Sequence, residues 1–411
     1  MIRMDQLVRA IAVALDIVEG QLLGASTHHG KRIAVLSVAM GRCFGLKEEN
    51  LSSLATCALF HDSALTEYII SEQRAADPAM RLHCEYGQRN AEALLTDRDV
   101  SGFVLYHHER ADGLGPFGKK EGSFPLGAEI IAIADMLDVA HHLQTVSAED
   151  LPRIRKRVTE GAGTIFTRRA AEAMLSVLDE KMLAGLRDER IAATVENVIP
   201  VWLADVEHVS AFRIAGLAAR IIDYKSVFTK RHSVQIANKA WLMGGHYNMD
   251  GNLRACLYMA AALHDLGKLA TPSHILEKPG RLTPEEFDLI KDHARLTEDI
   301  LKDVSGFEYI CAMAAGHHER LDGTGYHQGK NADDLDFTTR LLACLDIYQA
   351  VSETRPYHAG RSHAETMPIL YDMAENGWID QEIVRDLAAV MAEYSNRDVP
   401  PPPEAALLGN V

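Results

Sequence analysis

One order of metal-ligand side chains occurs twice in this chain. Each half has a histidine, a His-Asp pair, another single histidine, a His-His pair and an aspartate, in that order. A repeat of this length indicates that one structural module has been duplicated. The residues are His29, His61, Asp62, His83, His107, His108 and Asp135 in the N-terminal half, and His232, His264, Asp265, His293, His317, His318 and Asp346 in the C-terminal half.

The spacing between equivalent residues shows where the two copies differ. The separation is 203 residues for the first histidine and the His-Asp pair, 210 for the next three histidines, and 211 for the aspartate. The jump of seven follows the His-Asp pair, where the C-terminal copy has Lys268 and the segment 278–286 (KPGRLTPEE), and the N-terminal copy has Leu65 and a shorter segment. We therefore predict an N-terminal module over residues 1–185, a connector over 186–204, a C-terminal module over 205–395 and a Pro-rich, loosely ordered tail over 396–411.

Helical apolar spacing runs through nearly the whole chain, and glycine and proline collect at the joints between segments, so we predict an all-α fold. Polar residues on the inward faces of several helices are typical of a metal site in a bundle core. A lone His-Asp pair can instead be a buried histidine satisfied by its neighbour. Thr283 and Glu286 form a capping-box pattern with Pro284 at the first helical position, which predicts a helix that places His293 over its apolar face.

Composition limits the function. A chain of 411 residues can form two domains with sizeable cores. A formal charge of −16 disfavours binding of a nucleic-acid polymer, although a small anion can still bind a locally positive pocket. The six cysteines lack CxxC spacing and are interpreted as reduced residues of a cytoplasmic protein. The apolar runs are shorter than the ~20 residues that span a bilayer, so no membrane partner is expected.

The ligand order and its flanking segments resemble the HD-GYP subfamily of HD-domain metal phosphohydrolases. The resemblance covers roughly residues 210–395 and is found in the segments 274–293 (HILEKPGRLTPEEFDLIKDH), 317–327 (HHERLDGTGYH) and 345–358 (LDIYQAVSETRPYH). Two positions depart from the subfamily pattern. His327 replaces the proline of the GYP triplet, and Phe228 stands where some members have a glutamate that supports a third metal. The resemblance therefore implies a tandem pair of HD-type helical bundles, with two metals in the C-terminal one.

The same resemblance implies a ligand partition and a substrate. His232, His264 and Asp346 would hold one metal, and His293, His317 and His318 the other, with Asp265 shared. The metals of the subfamily are iron or manganese. Its substrates are cyclic dinucleotides, cyclic di-GMP or 3′3′-cyclic GMP-AMP, which are hydrolysed to a linear dinucleotide.

Four further residues are candidates for contact with the substrate. Lys268, three residues after the catalytic candidate Asp265, would reach a phosphate, although it could also be a solvated lysine. Arg320 and Arg355 suit bidentate phosphate contact; the resemblance favours Arg355, and Arg320 could equally be an ion-pair partner. Tyr326 lies in a glycine loop beside the site and could pack on a base.

Two alternatives stay open at this point. One is a general HD-type nucleotide phosphohydrolase, and the other is a non-catalytic signalling scaffold. For the N-terminal module, the full ligand set without the lysine predicts a site that can hold metal but does not turn over substrate. This module would stabilise or regulate the C-terminal one through an intramolecular contact, or simply bury apolar surface. A homodimer is compatible with the sequence.

Overall fold

The protein is almost wholly helical, as predicted. The computed structural model describes residues 4–23, 28–64, 76–95, 98–199, 208–223, 225, 231–353, 360–394 and 398–402, and within these residues no named strand forms, only two isolated bridges. The α-helices are α1 (Met4–Leu23), α2 (His29–Cys43), α3 (Glu48–Leu59), α4 (Ala76–Leu94), α5 (Leu126–His141), α6 (Leu151–Gly161), α7 (Arg168–Val177), α8 (Glu180–Leu186), α9 (Ile191–Val198), α10 (His208–Asp223), α11 (His232–His246), α12 (Gly251–Leu263), α13 (Ser273–Leu276), α14 (Pro284–Leu301), α15 (Glu308–Ala315), α16 (Phe337–Ser352), α17 (His363–Glu375) and α18 (Gln381–Met391). Short 3₁₀ helices are formed by Ala148–Asp150, Leu266–Ala270 and Ala392–Tyr394.

The chain divides into two compact units. One consists of Ile11–Ala204 and the other of Met1–Ala10 together with Asp205–Val411. This grouping differs from the predicted boundaries at two places. The first residues join the C-terminal unit, where the Ser305 amide donates to Gln6 Oε1 at 2.8 Å. Residues 191–198 of the predicted connector form α9, which packs on α2 inside the N-terminal unit.

The duplication is visible helix by helix. The first ligand histidine begins a 15-residue helix in each unit, α2 and α11. The last ligand aspartate lies in a 16-residue helix in each, α5 and α16. In each unit the first of these helices packs on the helix that leads to the His-Asp pair, α3 or α12, and on the helix that bears the last aspartate. These shared contacts bring the ligand-bearing faces together around a single core in each unit.

Local sequence determines where the ligand helices begin. The capping box predicted at Thr283 and Glu286 is present, with Pro284 as the first residue of α14. A buried acid caps the first ligand helix of each unit, because Asp16 Oδ1 accepts the Gly30 amide at 2.9 Å and Asp223 Oδ1 accepts the Ser233 amide at 2.8 Å. These caps fix the helix ends from which the first histidines project.

The predicted loosely ordered tail is tied down at its start. The Val399 amide donates to Gln235 Oε1 at 3.2 Å, and the Val399 carbonyl accepts from Asn238 Nδ2 at 3.0 Å, both on α11. Residues 403–411 lie outside the described part of the chain. Among the described helices, none combines the length and apolar character that crossing a bilayer requires.

Candidate functional site

The C-terminal unit brings all seven of its predicted metal ligands together. His232 begins α11, Asp346 lies in α16 and His293 lies in α14. The His-Asp pair directly follows α12, and the His-His pair follows α15. Six of the seven residues are buried, and the side chain of His318 is 23% exposed. The cluster therefore lies inside the bundle with His318 at its opening.

Asp265 faces both halves of this cluster. Its Oδ2 lies 3.2 Å from His264 Nε2 and 3.7 Å from His232 Nε2, whereas its Oδ1 lies 3.3 Å from His293 Nε2 and 3.9 Å from His317 Nε2. Each oxygen thus points at a different pair of imidazoles. This is the geometry that a carboxylate needs in order to bridge two metal ions.

The remaining ligand atoms divide between the two sides of Asp265. Those of His232, His264 and Asp346 lie within 4.8 Å of one another, and so do those of the group His293, His317 and His318. Asp346 Oδ1 lies 3.3 Å from His232 Nε2, and its Oδ2 lies 3.7 Å from His318 Nδ1. The two groups have the same membership as the partition that the family resemblance implied.

Three of the histidines are held in one tautomer by their own helices. The Nδ1–H groups of His264, His293 and His317 donate to the carbonyl oxygen three residues earlier, at 2.7, 2.5 and 2.6 Å. Because a carbonyl can only accept, Nδ1 must carry the proton, and the Nε2 lone pair faces the cluster. Burial also lowers the pKa of His293 to about 4. The ring is therefore neutral at pH 7, which is the form that binds metals.

The two carboxylates of the cluster are held in their charged form. Burial raises the pKa of the Asp265 carboxyl, but the electrostatic effect of His264 and Lys268 outweighs it, and the pKa stays well below its usual range. The same balance, with His232 as the main opposing group, lowers the pKa of Asp346. His264 Nε2 and Asp265 Oδ1 are buried without a hydrogen-bond partner in the described part of the chain. Buried donor atoms of these types facing one centre fit a divalent metal.

A tightly packed turn that contains Gly267 holds the His-Asp pair against α14. A Cβ on Gly267 would lie 2.1 Å from the His293 carbonyl oxygen, so only glycine allows this approach. The Gly267 amide donates to Thr297 Oγ1 at 2.9 Å, and Thr297 in turn donates to the His264 carbonyl at 3.1 Å. Lys268, in the same turn, places Nζ 2.6 Å from Asp265 Oδ2. The predicted phosphate ligand therefore contacts the shared carboxylate.

The loop after the His-His pair is held by one buried acid. Glu319 Oε1 accepts the Gln328 amide at 2.7 Å, and its Oε2 accepts the Lys330 amide at 3.0 Å. Gly325 lies so close to the start of the loop that an added Cβ would be 2.4 Å from the backbone nitrogen of Arg320. The fold-back puts the Tyr326 ring centroid 4.7 Å from that of His318. An aromatic face thus lies beside the opening of the cluster.

Four other positions were singled out from the sequence, and two of them lie in this loop. His327, which replaces the family proline, lies with Nε2 3.2 Å from Glu298 on α14. The Arg320 guanidinium lies over the Trp378 ring at 4.4 Å from its centroid, and one of its nitrogens is 3.4 Å from Thr324 Oγ1. Arg355 and Phe228 lie outside the described residues. Substrate contact by Arg320 or Arg355 therefore stays a prediction.

The N-terminal unit repeats the same ligand geometry. Asp62 Oδ1 lies 3.0 Å from His83 Nε2 and 3.8 Å from His107 Nε2, and Asp62 Oδ2 lies 3.5 Å from His61 Nε2. Asp135 Oδ1 lies 3.3 Å from His29 Nε2. The ligand atoms form two groups, which are His29, His61 and Asp135, and Asp62, His83, His107 and His108. Both units therefore have an Asp whose two oxygens face different imidazoles.

The surroundings of the N-terminal cluster differ. Glu109 holds the corresponding loop through the Phe117 and Lys119 amides, each at 2.6 Å. This loop is one residue shorter, with Pro116 and Phe117 before the glycine at 118. Phe117 packs edge-on against Tyr106, with ring centroids 5.6 Å apart. Leu65, which replaces the lysine, lies outside the described residues.

Sequence reasoning missed two carboxylates that support the first histidine of each cluster. His29 Nδ1 lies 2.6 Å from Asp138 Oδ2, and His232 Nδ1 lies 2.9 Å from Glu353 Oε2. Asp138 also pairs with buried Arg32 at 2.6 Å. An acid inside the apolar helix α5 was a signal that could have found Asp138. Glu353 has no counterpart in the other half, so the repeat could not reveal it.

Comparison with known families agrees with this geometry. One family model described as an HD domain matches residues 216–383, and a second model with the same description matches residues 27–140. The chain belongs to the HD-domain family and contains two such domains in tandem. The C-terminal domain also contains the HHERLDGTGY loop on which the resemblance to the HD-GYP type rests, and relatives of the chain are named as cyclic dinucleotide phosphodiesterases.

Three relatives and one structure illustrate the similarity. The 3′3′-cGAMP-specific phosphodiesterase 1 of Vibrio cholerae is 27% identical over 87% of this chain and 85% of its own, and phosphodiesterase 3 of that organism is 30% identical over 72% and 64%. A cyclic di-GMP phosphodiesterase of Pseudomonas aeruginosa is 29% identical over 55% of each chain. The crystal structure of the cyclic GMP-AMP-specific phosphodiesterase V-cGAP3 of V. cholerae has a TM-score of 0.66 at 24% identity, covering 95% of this chain and 98% of that one. At that identity, the likeness shows the shared fold.

Proposed function

We propose that the C-terminal domain hydrolyses a 3′–5′ phosphodiester bond of a cyclic dinucleotide, cyclic di-GMP or 3′3′-cyclic GMP-AMP, and releases a linear dinucleotide. The observation that supports this most is the two-sided position of Asp265 between two groups of imidazoles. Relatives whose names specify the same reaction support the substrate class.

Two divalent transition metals, iron or manganese, would be held by the seven residues of the C-terminal cluster. His232, His264 and Asp346 would bind one, His293, His317 and His318 the other, and Asp265 both. Such a pair supplies an activated water and charge stabilisation for an in-line attack on a phosphodiester. The histidines are suited to this because buried, neutral imidazoles with a fixed Nδ1–H present the Nε2 lone pair.

The residues around the cluster would bind and orient the substrate. Lys268 places a positive charge beside the shared carboxylate, where it can balance the charge of a non-bridging phosphate oxygen. Tyr326 offers an aromatic face next to His318, on which a base can stack. Arg355 and Arg320 are proposed as further phosphate contacts, with Arg355 preferred. Sequestering the phosphate between these groups would hold it in line for attack.

Asp265→Ala tests this proposal. The variant should lose metal from the C-terminal cluster and abolish hydrolysis of both cyclic dinucleotides, because it removes the carboxylate whose two oxygens each face a different pair of imidazoles. Metal content is measured on the purified full chain, and products are separated by chromatography. The control is Asp303→Ala, an exposed aspartate in the loop after α14.

The substrate panel also includes mononucleotides and linear nucleotides. Hydrolysis of these nucleotides without hydrolysis of either cyclic dinucleotide would favour the general nucleotide phosphohydrolase. Absence of any turnover in a fully metal-loaded chain would favour the signalling scaffold. Near wild-type hydrolysis by Asp265→Ala would refute the site.

We further propose that the N-terminal cluster holds metal without turning over substrate. It has the same ligand geometry, but Leu65 replaces the lysine and its shorter loop has no tyrosine at the Tyr326 position. Its role would be to stabilise or regulate the C-terminal domain. In an Asp265→Ala chain, residual hydrolysis that disappears on adding Asp62→Ala would show the N-terminal cluster to be catalytic. Sedimentation of the full chain tests whether it forms the homodimer with which the sequence is compatible.

A further inference from the structure

We propose that Glu353 is a positioning residue for His232, and that its negative charge sets the metal affinity of the group His232, His264 and Asp346. This inference rests on the proposed metal site and adds to it a residue outside the ligand set. Glu353 Oε2 lies 2.9 Å from His232 Nδ1, on the side of the ring opposite the cluster. The side chain of Glu353 is 16% exposed, so water screens the contact only partly.

The first histidine of each domain differs from five other histidines of the two clusters in how its ring is held. His61, His107, His264, His293 and His317 all have Nδ1 against the carbonyl oxygen three residues earlier. His29 and His232 are each the first residue of a helix, so no preceding helical turn supplies that carbonyl. At these two positions a side-chain carboxylate takes its place. Both domains therefore have a carboxylate at Nδ1 of the first histidine, and a different residue can supply it in each.

The two domains fill this role from different positions. In the N-terminal domain the carboxylate is Asp138, three residues after the ligand Asp135 on α5. The residue three after Asp346 on α16 is Gln349, which is neutral. Glu353 lies four residues further on, about one helical turn, at the C-terminal end of α16. The carboxylate has thus moved by one turn while its contact with the histidine is retained.

The residues around Gln349 explain why a carboxylate is needed elsewhere. Gln349 Oε1 accepts from Lys239 Nζ at 2.7 Å, much as Asp138 pairs with Arg32 in the other domain. An amide cannot supply the charge that makes an imidazole a stronger donor to a metal. A carboxylate on Nδ1–H does supply it, and loss of such a partner typically lowers metal affinity 10- to 100-fold. Glu353 supplies such a charge, with Oε2 2.9 Å from His232 Nδ1.

The test uses the full chain in an Asp62→Ala background, so that metal binding is measured at the C-terminal cluster alone. Glu353→Gln keeps an oxygen that can accept from Nδ1–H and removes only the charge. We expect its affinity for one Mn²⁺ to fall 10- to 100-fold in a competition titration with a chelator, and the other Mn²⁺ to bind as before. Glu375→Gln, an exposed glutamate at the end of α17, is the matched control and should bind as the parent does.

The rescue variant moves the carboxylate to the N-terminal domain's arrangement. Adding Gln349→Asp to Glu353→Gln should restore most of the lost affinity, with Lys239 in the place of Arg32. Affinity within twofold of the parent in Glu353→Gln would overturn the inference, as would a loss that Gln349→Asp does not repair. Asp265→Ala in the same background separates the two proposals. If it keeps both metals, the proposed metal site fails; if it loses metal while Glu353→Gln does not, only the role of Glu353 fails.

Discussion

Replacing Glu319 by alanine should release the loop that bears Tyr326 without touching a metal ligand. Glu319 is buried, and its two oxygens accept the amides of Gln328 and Lys330 at 2.7 and 3.0 Å. These bonds close the loop over the residues that follow the His-His pair. The variant leaves both amides without their acceptor, so the closed loop loses its main polar anchor.

The size of the effect follows from the two bonds. A hydrogen bond to a charged group contributes about 1.5–3 kcal/mol, so two give about 3–6 kcal/mol. The loop is partly exposed, and water can replace part of this, which favours the lower end. A loss of ~3 kcal/mol makes local opening roughly 100-fold more frequent, since each 1.4 kcal/mol is a factor of ten. If Tyr326 stacks on a base, the KM for the cyclic dinucleotide should rise about tenfold as well.

Hydrogen-exchange mass spectrometry measures the opening directly, on peptides that cover residues 320–332. Steady-state kinetics and metal analysis of the same variant separate a loop effect from metal loss. The N-terminal domain supplies a matched control, because Glu109 holds its loop through the Phe117 and Lys119 amides in the same way. Glu109→Ala should speed exchange only in residues 110–122 and leave KM unchanged. Unchanged exchange in Glu319→Ala would refute the reasoning.

Three further outcomes are expected. Lys268→Met should lower kcat about 100-fold or more at unchanged metal content, because the charge 2.6 Å from Asp265 Oδ2 is lost, and kinetics with metal analysis check this. Asp223→Asn should lower the free energy of unfolding by about 1 kcal/mol and leave about two metals in the C-terminal cluster, since its oxygens cap α11; loss of a metal would assign it as a ligand. Burial lowers the pKa of Lys239 from 10.5 to about 8. Between pH 8 and 10.5 the unfolded chain therefore binds more protons than the folded chain, and the free energy of unfolding rises with pH by up to ~3 kcal/mol. Lys239→Met should remove this rise, which is measured by denaturation curves recorded across that pH range.

The sequence predicted the ligand set because ligand types recur in a fixed order, and a repeat needs no knowledge of the fold. The all-α class and the start of α14 followed from local signals, namely apolar spacing and the Thr283 capping box. Glu353 escaped prediction because its contact with His232 joins residues 121 positions apart and has no equivalent in the other half. The stacking of Arg320 on Trp378 is likewise a tertiary contact that spacing does not encode.

Domain boundaries were the least accessible from sequence. The repeat defines where the copies correspond, but it does not say which unit a flanking segment joins. Met1–Ala10 groups with the C-terminal unit, where Gln6 Oε1 accepts the Ser305 amide. Nothing in the pattern of that helix indicates which core it covers.

The carbonyl oxygens behind five of the histidines make the centre robust to mutational drift. A main-chain acceptor is present whatever side chain occupies its position, as the differing residues Ala58, Val104 and Ile290 illustrate. The orientation of those rings is thus inherited with the helix itself. The first histidine depends instead on a mutable side chain, and there the two copies have diverged, one using Asp138 and the other Glu353. After a gene duplication, selection can therefore adjust one end of each centre while the other end is kept constant by the backbone.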